Sequence, residues 1–371
     1  MKNNQVHYYW LDLIRFLAAF LVLSSHFRGA FFVEYGLLPA EQQNAFISFF
    51  YLVTRLGHEA VLIFFVMSGF LVGGRVIERL KNGVFDLKSY GIDRSVRILL
   101  PLVSTLLFLI LTNFIQGIDT DWIAWFGNLL SLQGIYCSSV IDPLWSLSYE
   151  VWFYILAGSL AMLLKKHTNG IAIPFVLLLI CLLVFTKLNS VYLFIWVMGA
   201  VTYWVQPKIC NKFLLCVALL AMIILIGTLQ FTRVSRSLSL GEYSSFLPNR
   251  DALELLFSFT FCLFLQQVIL ICPVNCLARF INSMGTKFAA FSYTLYLTHM
   301  LVLRLLEYYG APKSTSVNWF SVGYYIGELI LSMIVAYFIY WIFEKRTATV
   351  KSWLKNRQFS CRIPCLSKRD N

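Results

Sequence analysis

The chain has 371 residues, of which 59% are hydrophobic and only 13% are charged, and 33 of them are phenylalanine. This composition excludes an ordinary soluble domain, because a water-exposed surface needs many more charged side chains. The formal net charge of +12 would suit nucleic-acid binding, but the placement of the basic residues favours membrane topology as its cause, so no nucleic-acid partner is expected.

Apolar segments long enough to cross a bilayer recur along the whole chain. We place about ten of them, at residues 11–32, 57–78, 98–118, 144–164, 171–187, 189–206, 213–231, 251–271, 287–308 and 320–343. The predicted fold class is therefore all-α, a polytopic integral membrane bundle of about ten transmembrane helices. Residues 1–345 would form one transmembrane domain, and residues 346–371 a basic cytoplasmic tail.

The 30 Lys and Arg residues fall unequally on the two ends of these segments. With a cytoplasmic N-terminus, most of them, including those of the tail, lie on the cytoplasmic side. The positive-inside rule then predicts an N-in, C-in orientation.

Two ionisable residues, Arg15 and His26, lie in the first apolar segment. A charged group at that depth costs roughly 2.5–3.5 kcal/mol and usually faces a protein interior or a watery cavity. Their separation places them within about 20° of each other around a helix and on the order of 16 Å apart along it. One helix face therefore carries a cation near its start and an imidazole near its end, and Asp12 joins the same face.

The second and third segments bring basic residues to the predicted inner side. Arg75 follows the end of the second segment, and Arg94 and Arg97 are spaced i, i+3 at the start of the third, so the last two share one helix face. A guanidinium pair suits the capture of phosphate groups. The alternative interpretation is ordinary anchoring under the positive-inside rule.

Counting residues from the segment ends places Glu150 and His299 at about the depth of His26, roughly 20 Å from the inner edge. A carboxylate that orients an imidazole is the arrangement that general-base catalysis needs, so we expect Glu150 to pair with His26. Taken singly, each residue also has a structural interpretation: the histidines as interhelical hydrogen-bonding groups, Glu150 as an interfacial carboxylate, and Arg15 as a snorkelling side chain.

Five stretches of the sequence, taken in order, resemble the membrane-bound acyltransferase-3 family of bacterial surface-glycan O-acyltransferases. They are LDLIRFLAAFLVLSSHF, FFVMSGFLVGGRV, DRSVRILLP, PLWSLSYEVWFYIL and SYTLYLTH, and together they cover most of residues 8–345. The sequence departs from the family pattern in two places. The proline after Arg97 comes one residue late, and Glu344 lacks the proline that often follows it.

The resemblance implies an O-acyltransferase of the bacterial cytoplasmic (inner) membrane. It would move an acyl group, most often acetyl, from cytoplasmic acyl-CoA to a hydroxyl of an extracytoplasmic or lipid-linked cell-surface glycan, without a metal. The catalytic residues would be His26, Glu150 and Arg15, and the acyl-CoA-binding residues Arg94, Arg97 and Arg75. The substrate passage would be formed or supported by Ser68, Gly69, His299, Trp145 and Ser146.

A proton-coupled transporter is the alternative function, because Arg, His and Glu at the midplane of a membrane can form a proton relay. A transporter of that kind predicts broken helices in corresponding halves of the chain. The glycines and prolines of this sequence show no such symmetry. A purely structural membrane protein would leave the aligned ionisable residues unexplained.

Overall fold

The structure is a computed structural model that describes residues 8–165, 171–237 and 249–360. Within these residues the chain is almost entirely helical, and it contains two isolated β-bridges but no strand. The predicted all-α membrane bundle is therefore confirmed.

Fifteen α-helices lie within the described residues. In chain order they are α1 (Leu11–Phe31), α2 (Ala45–Val53), α3 (Gly57–Ser68), α4 (Gly74–Lys81), α5 (Leu87–Gln116), α6 (Trp122–Leu129), α7 (Leu144–Leu164), α8 (Ala172–Phe185), α9 (Ser190–Trp204), α10 (Lys212–Ser237), α11 (Arg250–Val268), α12 (Cys276–Ala289), α13 (Ser292–Tyr308), α14 (Trp319–Ile342) and α15 (Thr347–Ser360). A single π-helical stretch, Gly69–Gly73, joins α3 to α4.

In the described parts of the chain, seven helical stretches are long and apolar enough to cross a membrane. An eighth is obtained if α12 and α13, which meet at an angle of 59°, count as one span. The predicted fifth and sixth segments lie on α8 and α9, which have 14 and 15 residues. A full crossing needs about 20 residues, so these two helices are shorter than a typical span.

The predicted cytoplasmic tail begins as a helix. Its described part, α15, packs against α5, and Lys355 Nζ lies 3.0 Å from Asp93 Oδ1. Residues 361–371 of the predicted tail and residues 1–7 lie outside the described residues.

Helices α3 and α9 approach each other backbone to backbone. A Cβ atom on Gly69 would overlap the carbonyl oxygen of Trp196, and one on Gly199 would overlap the carbonyl oxygen of Val66. Small residues permit such contact between membrane helices. Our prediction that Gly69 lets a substrate pass is therefore wrong, because its open side is filled by another helix.

Helix α1 lies at the centre of the bundle, with α3, α12, α13 and α14 around it. Its approach to α3 is close because Gly57 has no side chain: a Cβ atom there would come within 2.8 Å of Ser25 Cβ. The polar residues of α1 consequently face other helices, and two cavities open beside them.

Candidate active site

The first cavity, which we call the arginine chamber, has about 850 Å³ of empty space. Helices α1, α3, α5, α7 and α13 surround it. Its polar lining residues are Arg15, Ser68, Arg94, Arg97, Ser146, Glu150, Tyr154, Ser292, Tyr293 and Tyr296. Arg15, Arg94, Arg97 and Glu150 thus line one cavity. The sequence analysis assigned Glu150 to His26 instead, and the roles predicted for the three arginines stay predictions.

The three guanidinium groups of this chamber have few partners among the described residues. Arg15 Nη2 donates to Asp12 Oδ1 at 3.0 Å. Arg94 lies against the ring of Tyr154, and its Nε is buried without a hydrogen-bond partner. No described side chain hydrogen-bonds to Arg97, which lies in electrostatic range of Glu150 and Glu344. Several N–H donors are thus available to an anion.

A hydrogen-bonded row of side chains fixes Glu150. Tyr154 Oη donates to Glu150 Oε1, Ser68 Oγ lies 3.5 Å from Tyr154 Oη, and Trp196 Nε1 donates to Ser68 Oγ at 3.2 Å. Ser68 therefore lies in the wall of the cavity, where it supports the Glu150 carboxylate through Tyr154.

Glu344, which lacks the proline that often follows it in the family pattern, lies near the arginine chamber. It accepts a hydrogen bond of 2.6 Å from Thr294 Oγ1 and lies in electrostatic range of Arg15. Arg75, by contrast, is exposed on α4 and does not line the arginine chamber. Its predicted role in acyl-CoA binding remains a prediction.

The second cavity, which we call the imidazole chamber, has about 620 Å³ of empty space. It is lined by Val22, Ser25, His26, Gly57, His58, Val61, Pro143, Trp145, Arg250 and Tyr296. Of the residues predicted from the sequence, only His26 and Trp145 lie here. His58 and Arg250 were missed, although an ionisable residue at the edge of an apolar segment was a signal for each.

The His26 ring is held through its Nδ1 atom. Its Nδ1 lies 3.0 Å from the carbonyl oxygen of Val22 and 3.2 Å from Nε2 of the fully buried His299. Because a carbonyl only accepts, we assign the Nδ1 proton to His26, and in the neutral ring Nε2 then carries the lone pair. The predicted proximity of His26 and His299 is confirmed.

The carboxylate nearest to His26 belongs to Asp142, whose Oδ2 lies 3.6 Å from His26 Nε2. The predicted pairing of Glu150 with His26 is therefore wrong: Glu150 faces the arginine chamber instead. His26 holds the pKa of Asp142 below its ordinary value of 3.8, because its Nε2 donates to the carboxylate when the ring is protonated. Asp142 escaped the sequence analysis because it lies in a connection, outside every apolar segment.

The connection that carries Asp142 is tied down by polar side chains. Arg304 Nη2 donates to the carbonyl oxygen of Val140 at 3.0 Å, and Gln133 Nε2 donates to that of Leu144 at 2.7 Å. Asn128 Nδ2 donates to the carbonyl oxygen of Ser138 at 2.8 Å. The carboxylate is thus positioned by a fixed loop even though its own side chain is 70% exposed.

The two chambers meet at a thin wall. Val61 and Tyr296 line both of them. Tyr296 Oη and Ser146 Oγ are 2.6 Å apart, and Tyr296 Oη also donates to the carbonyl oxygen of Pro143 at 3.2 Å. Trp145 lines the imidazole chamber and Ser146 lines the arginine chamber. Two adjacent residues of α7 therefore face the two sides of the wall.

No group of three or more His, Cys, Asp or Glu side chains in the described residues could hold a metal ion. The arrangement instead offers anion-binding donors in one chamber and an imidazole in the next. Such a site suits transfer between an anionic substrate and a second substrate that must lose a proton.

Comparison with known protein families identifies this class of site as that of an acyltransferase. A family described as an acyltransferase domain matches residues 8–341, nearly the whole chain. The chain therefore belongs to the acyltransferase-3 family, and the protein is a multi-pass membrane enzyme that transfers acyl groups. Among curated proteins and solved structures, none matches this chain.

Proposed function

We propose that the protein is an acyl-CoA-dependent O-acyltransferase of the bacterial inner membrane. It moves an acyl group, most often acetyl, from cytoplasmic acyl-CoA to a hydroxyl of an extracytoplasmic or lipid-linked glycan. The observation that carries this proposal is the pair of adjoining chambers, one with three arginines and one with His26, separated only by side chains such as Tyr296 and Ser146.

The arginine chamber is the donor site in this proposal. Coenzyme A carries several phosphate charges, and guanidinium groups bind phosphate through charge-assisted, often bidentate, hydrogen bonds. Arg94 and Arg97 are near the start of α5, and Arg15 is near the start of α1. Phosphates held there would leave the pantetheine arm to extend toward Ser146, with the thioester at the wall.

The imidazole chamber is the acceptor site. His26 Nε2 takes the proton of the acceptor hydroxyl while the hydroxyl oxygen bonds to the thioester carbon. The carbon–sulfur bond breaks, and the thiolate takes up the proton from His26 to leave as CoA. In a two-step variant, His26 Nε2 bonds to the thioester carbon and CoA leaves as the thiolate; the hydroxyl oxygen then displaces the imidazole from the acyl group, and the hydroxyl proton passes through the freed Nε2 to the thiolate. A sugar hydroxyl is almost wholly protonated at neutral pH, so a general base contributes about 10²–10⁴-fold to the rate.

The orientation of the chain is part of the proposal. Acyl-CoA is a large polyanion made in the cytoplasm, so the arginine chamber must open to that side. Cysteines introduced singly at Asn82, after α4, and at the exposed Tyr136 test this in a chain without native cysteines. An impermeant thiol reagent applied from outside should label the cysteine at 136 and spare the one at 82. The reverse labelling would overturn the orientation.

The function itself is tested with purified protein in lipid vesicles, given radiolabelled acetyl-CoA and the surface polysaccharide of a bacterial strain that lacks this gene. Label should pass to the polysaccharide in an ester that mild base releases, and a His26→Gln variant should transfer none above background. Propionyl-CoA and succinyl-CoA establish which acyl group is preferred. Proton movement across the vesicle without acyl transfer would favour the transporter instead.

A further inference from the structure

A second carboxylate–imidazole pair lies beside the imidazole chamber, and the mechanism above does not use it. Glu254 of α11 is 2% exposed, and its Oε1 lies 2.8 Å from His58 Nε2 and 2.8 Å from Arg250 Nε. His58 and Arg250 both line the chamber that contains His26. The buried carboxylate therefore holds two polar side chains against the same cavity.

The hydrogen-bond pattern fixes the tautomer of His58. A carboxylate oxygen only accepts, so the 2.8 Å contact places a proton on His58 Nε2. Arg250 Nη2, at 3.2 Å from the same nitrogen, is then a neighbour and not a donor to it. In the neutral ring His58 Nδ1 keeps a lone pair, and no described residue hydrogen-bonds to it.

The packing of α1 on α3 brings His58 close to the proposed base. Gly57 and Ser25 mark the closest approach of the two helices, and each is followed directly by one of the histidines, His58 and His26. Trp145 lines the same cavity from α7. The chamber thus presents an unused imidazole acceptor, guanidinium donors and an indole ring around His26.

We propose that His58 and Arg250 form the subsite that binds the acceptor, and that this subsite takes a polyhydroxylated ring such as a sugar. His58 Nδ1 accepts a hydrogen bond from one hydroxyl, Arg250 donates to a neighbouring oxygen, and the Trp145 ring covers an apolar face of the sugar. Glu254 is a positioning residue, because it acts through His58 and Arg250. The inference rests on the proposed function, and it names the residues that select the acceptor.

The competing explanation is that His58 and Arg250 only neutralise the buried Glu254. Two substitutions of His58 separate the explanations, because each keeps only one of the two hydrogen-bonding positions of the ring, the donor at Nε2 or the acceptor at Nδ1. His58→Gln can still donate to Glu254 but has nothing at the position of Nδ1. His58→Asn places an amide oxygen at the position of Nδ1 but cannot reach Glu254.

The experiment measures apparent KM for the unacylated polysaccharide and for acetyl-CoA in vesicles, together with thermal unfolding in detergent. We expect His58→Gln to raise the polysaccharide KM about tenfold, the effect of one lost hydrogen bond, while the KM for acetyl-CoA stays unchanged. His58→Asn should retain a polysaccharide KM within about threefold of the wild type, although it unfolds at lower temperature.

An unchanged polysaccharide KM in His58→Gln overturns the inference and leaves His58 a structural neighbour of Glu254. If His58→Asn does not fold, the folded His58→Gln variant still decides the question. Failure of the proposed function looks different: the wild-type protein itself would then transfer no acetyl group to the polysaccharide, and the inference would fall with it.

Discussion

The two chambers differ in how the chain builds them. The arginine chamber takes Arg15, Arg97 and Glu150 from the interiors of three long helices. The imidazole chamber depends on the ends of elements: His58 is the second residue of α3, and Arg250 is the first residue of α11. Its nearby carboxylate, Asp142, belongs to no helix.

This difference explains why the charged residues that line the first chamber were recognised from the sequence, whereas His58, Arg250 and Asp142 at the second were missed. Along a helix, depth and direction follow from a fixed rise and rotation per residue. At helix ends and in loops they depend on the connections. The variants below test whether the two chambers are also separate in function.

The largest effect is expected from His26→Gln. We expect acyl transfer to fall by about 10²–10⁴-fold, because the general base is lost, while binding of acetyl-CoA in the other chamber is unchanged. Turnover of labelled acetyl-CoA and equilibrium binding of CoA measure the two quantities. Loss of both together would show that the chambers do not act separately.

The arginine chamber is probed by Arg97→Gln. Contacts with phosphate stabilise the ground state and the transition state alike, so the KM for acetyl-CoA should rise more than kcat falls. We expect a rise of about 10- to 100-fold for a lost charge-assisted contact. Arg279→Gln is the matched control, because Arg279 is exposed on α12, outside the chamber, and no acyl-CoA role is predicted for it. Equal effects of the two substitutions would assign both arginines to membrane anchoring.

Gly69→Ala affects the scaffold that both chambers share. The added methyl group overlaps the backbone of Trp196, so we expect a loss of about 1–3 kcal/mol in the free energy of unfolding. Gly227→Ala on α10 is the control, because nothing lies within 4 Å of its Cβ position. Thermal unfolding in detergent measures both variants. A stable Gly69→Ala variant would contradict the close approach of α3 and α9.

The smallest effect is expected from Asp142→Asn. Folding lowers the pKa of Asp142 below 3.8, so the charged carboxylate stabilises the folded protein at pH values above 3.8. This stabilisation is lost as the pH falls through the lowered pKa. In the variant this acid-dependent part of the unfolding profile should disappear. Since the side chain is largely exposed, transfer at pH 7 should fall by less than about fivefold. A loss as large as that of His26→Gln would make Asp142 essential to the reaction.

Much of the fold followed from the distribution of apolar segments, because each predicted segment lies on one helix or on consecutive helices. Segment 287–308 crosses the 59° bend between α12 and α13, which its composition did not indicate. The shortness of α8 and α9 was not visible, since the apolar composition of each extends beyond its helical residues. Gly69 shows a second reason for failure. Its small size was recognised, but the residue that fills its open side, Trp196, lies far along the chain.

The site was predicted in part for the same reason. Depth counting brought His299 to His26 correctly, but it also placed Glu150 beside the imidazole. It could not show that a wall of side chains, formed by Tyr296 and Ser146, lies between Glu150 and the imidazole. Nor could it anticipate that Arg304 fixes the loop before Asp142.

The thin wall at Tyr296 and Ser146 has an electrical consequence. A membrane potential normally falls across about 30 Å of hydrocarbon. If the two chambers open to opposite faces of the membrane, as the proposed orientation requires, the few side chains between them take most of that fall. Each elementary charge that crosses a potential of 100 mV exchanges about 2.3 kcal/mol with the field. An acetyl group is neutral, so it can cross this barrier at no electrical cost. In the proposed function the phosphates of acyl-CoA stay in the arginine chamber, so the wall need never admit an ion.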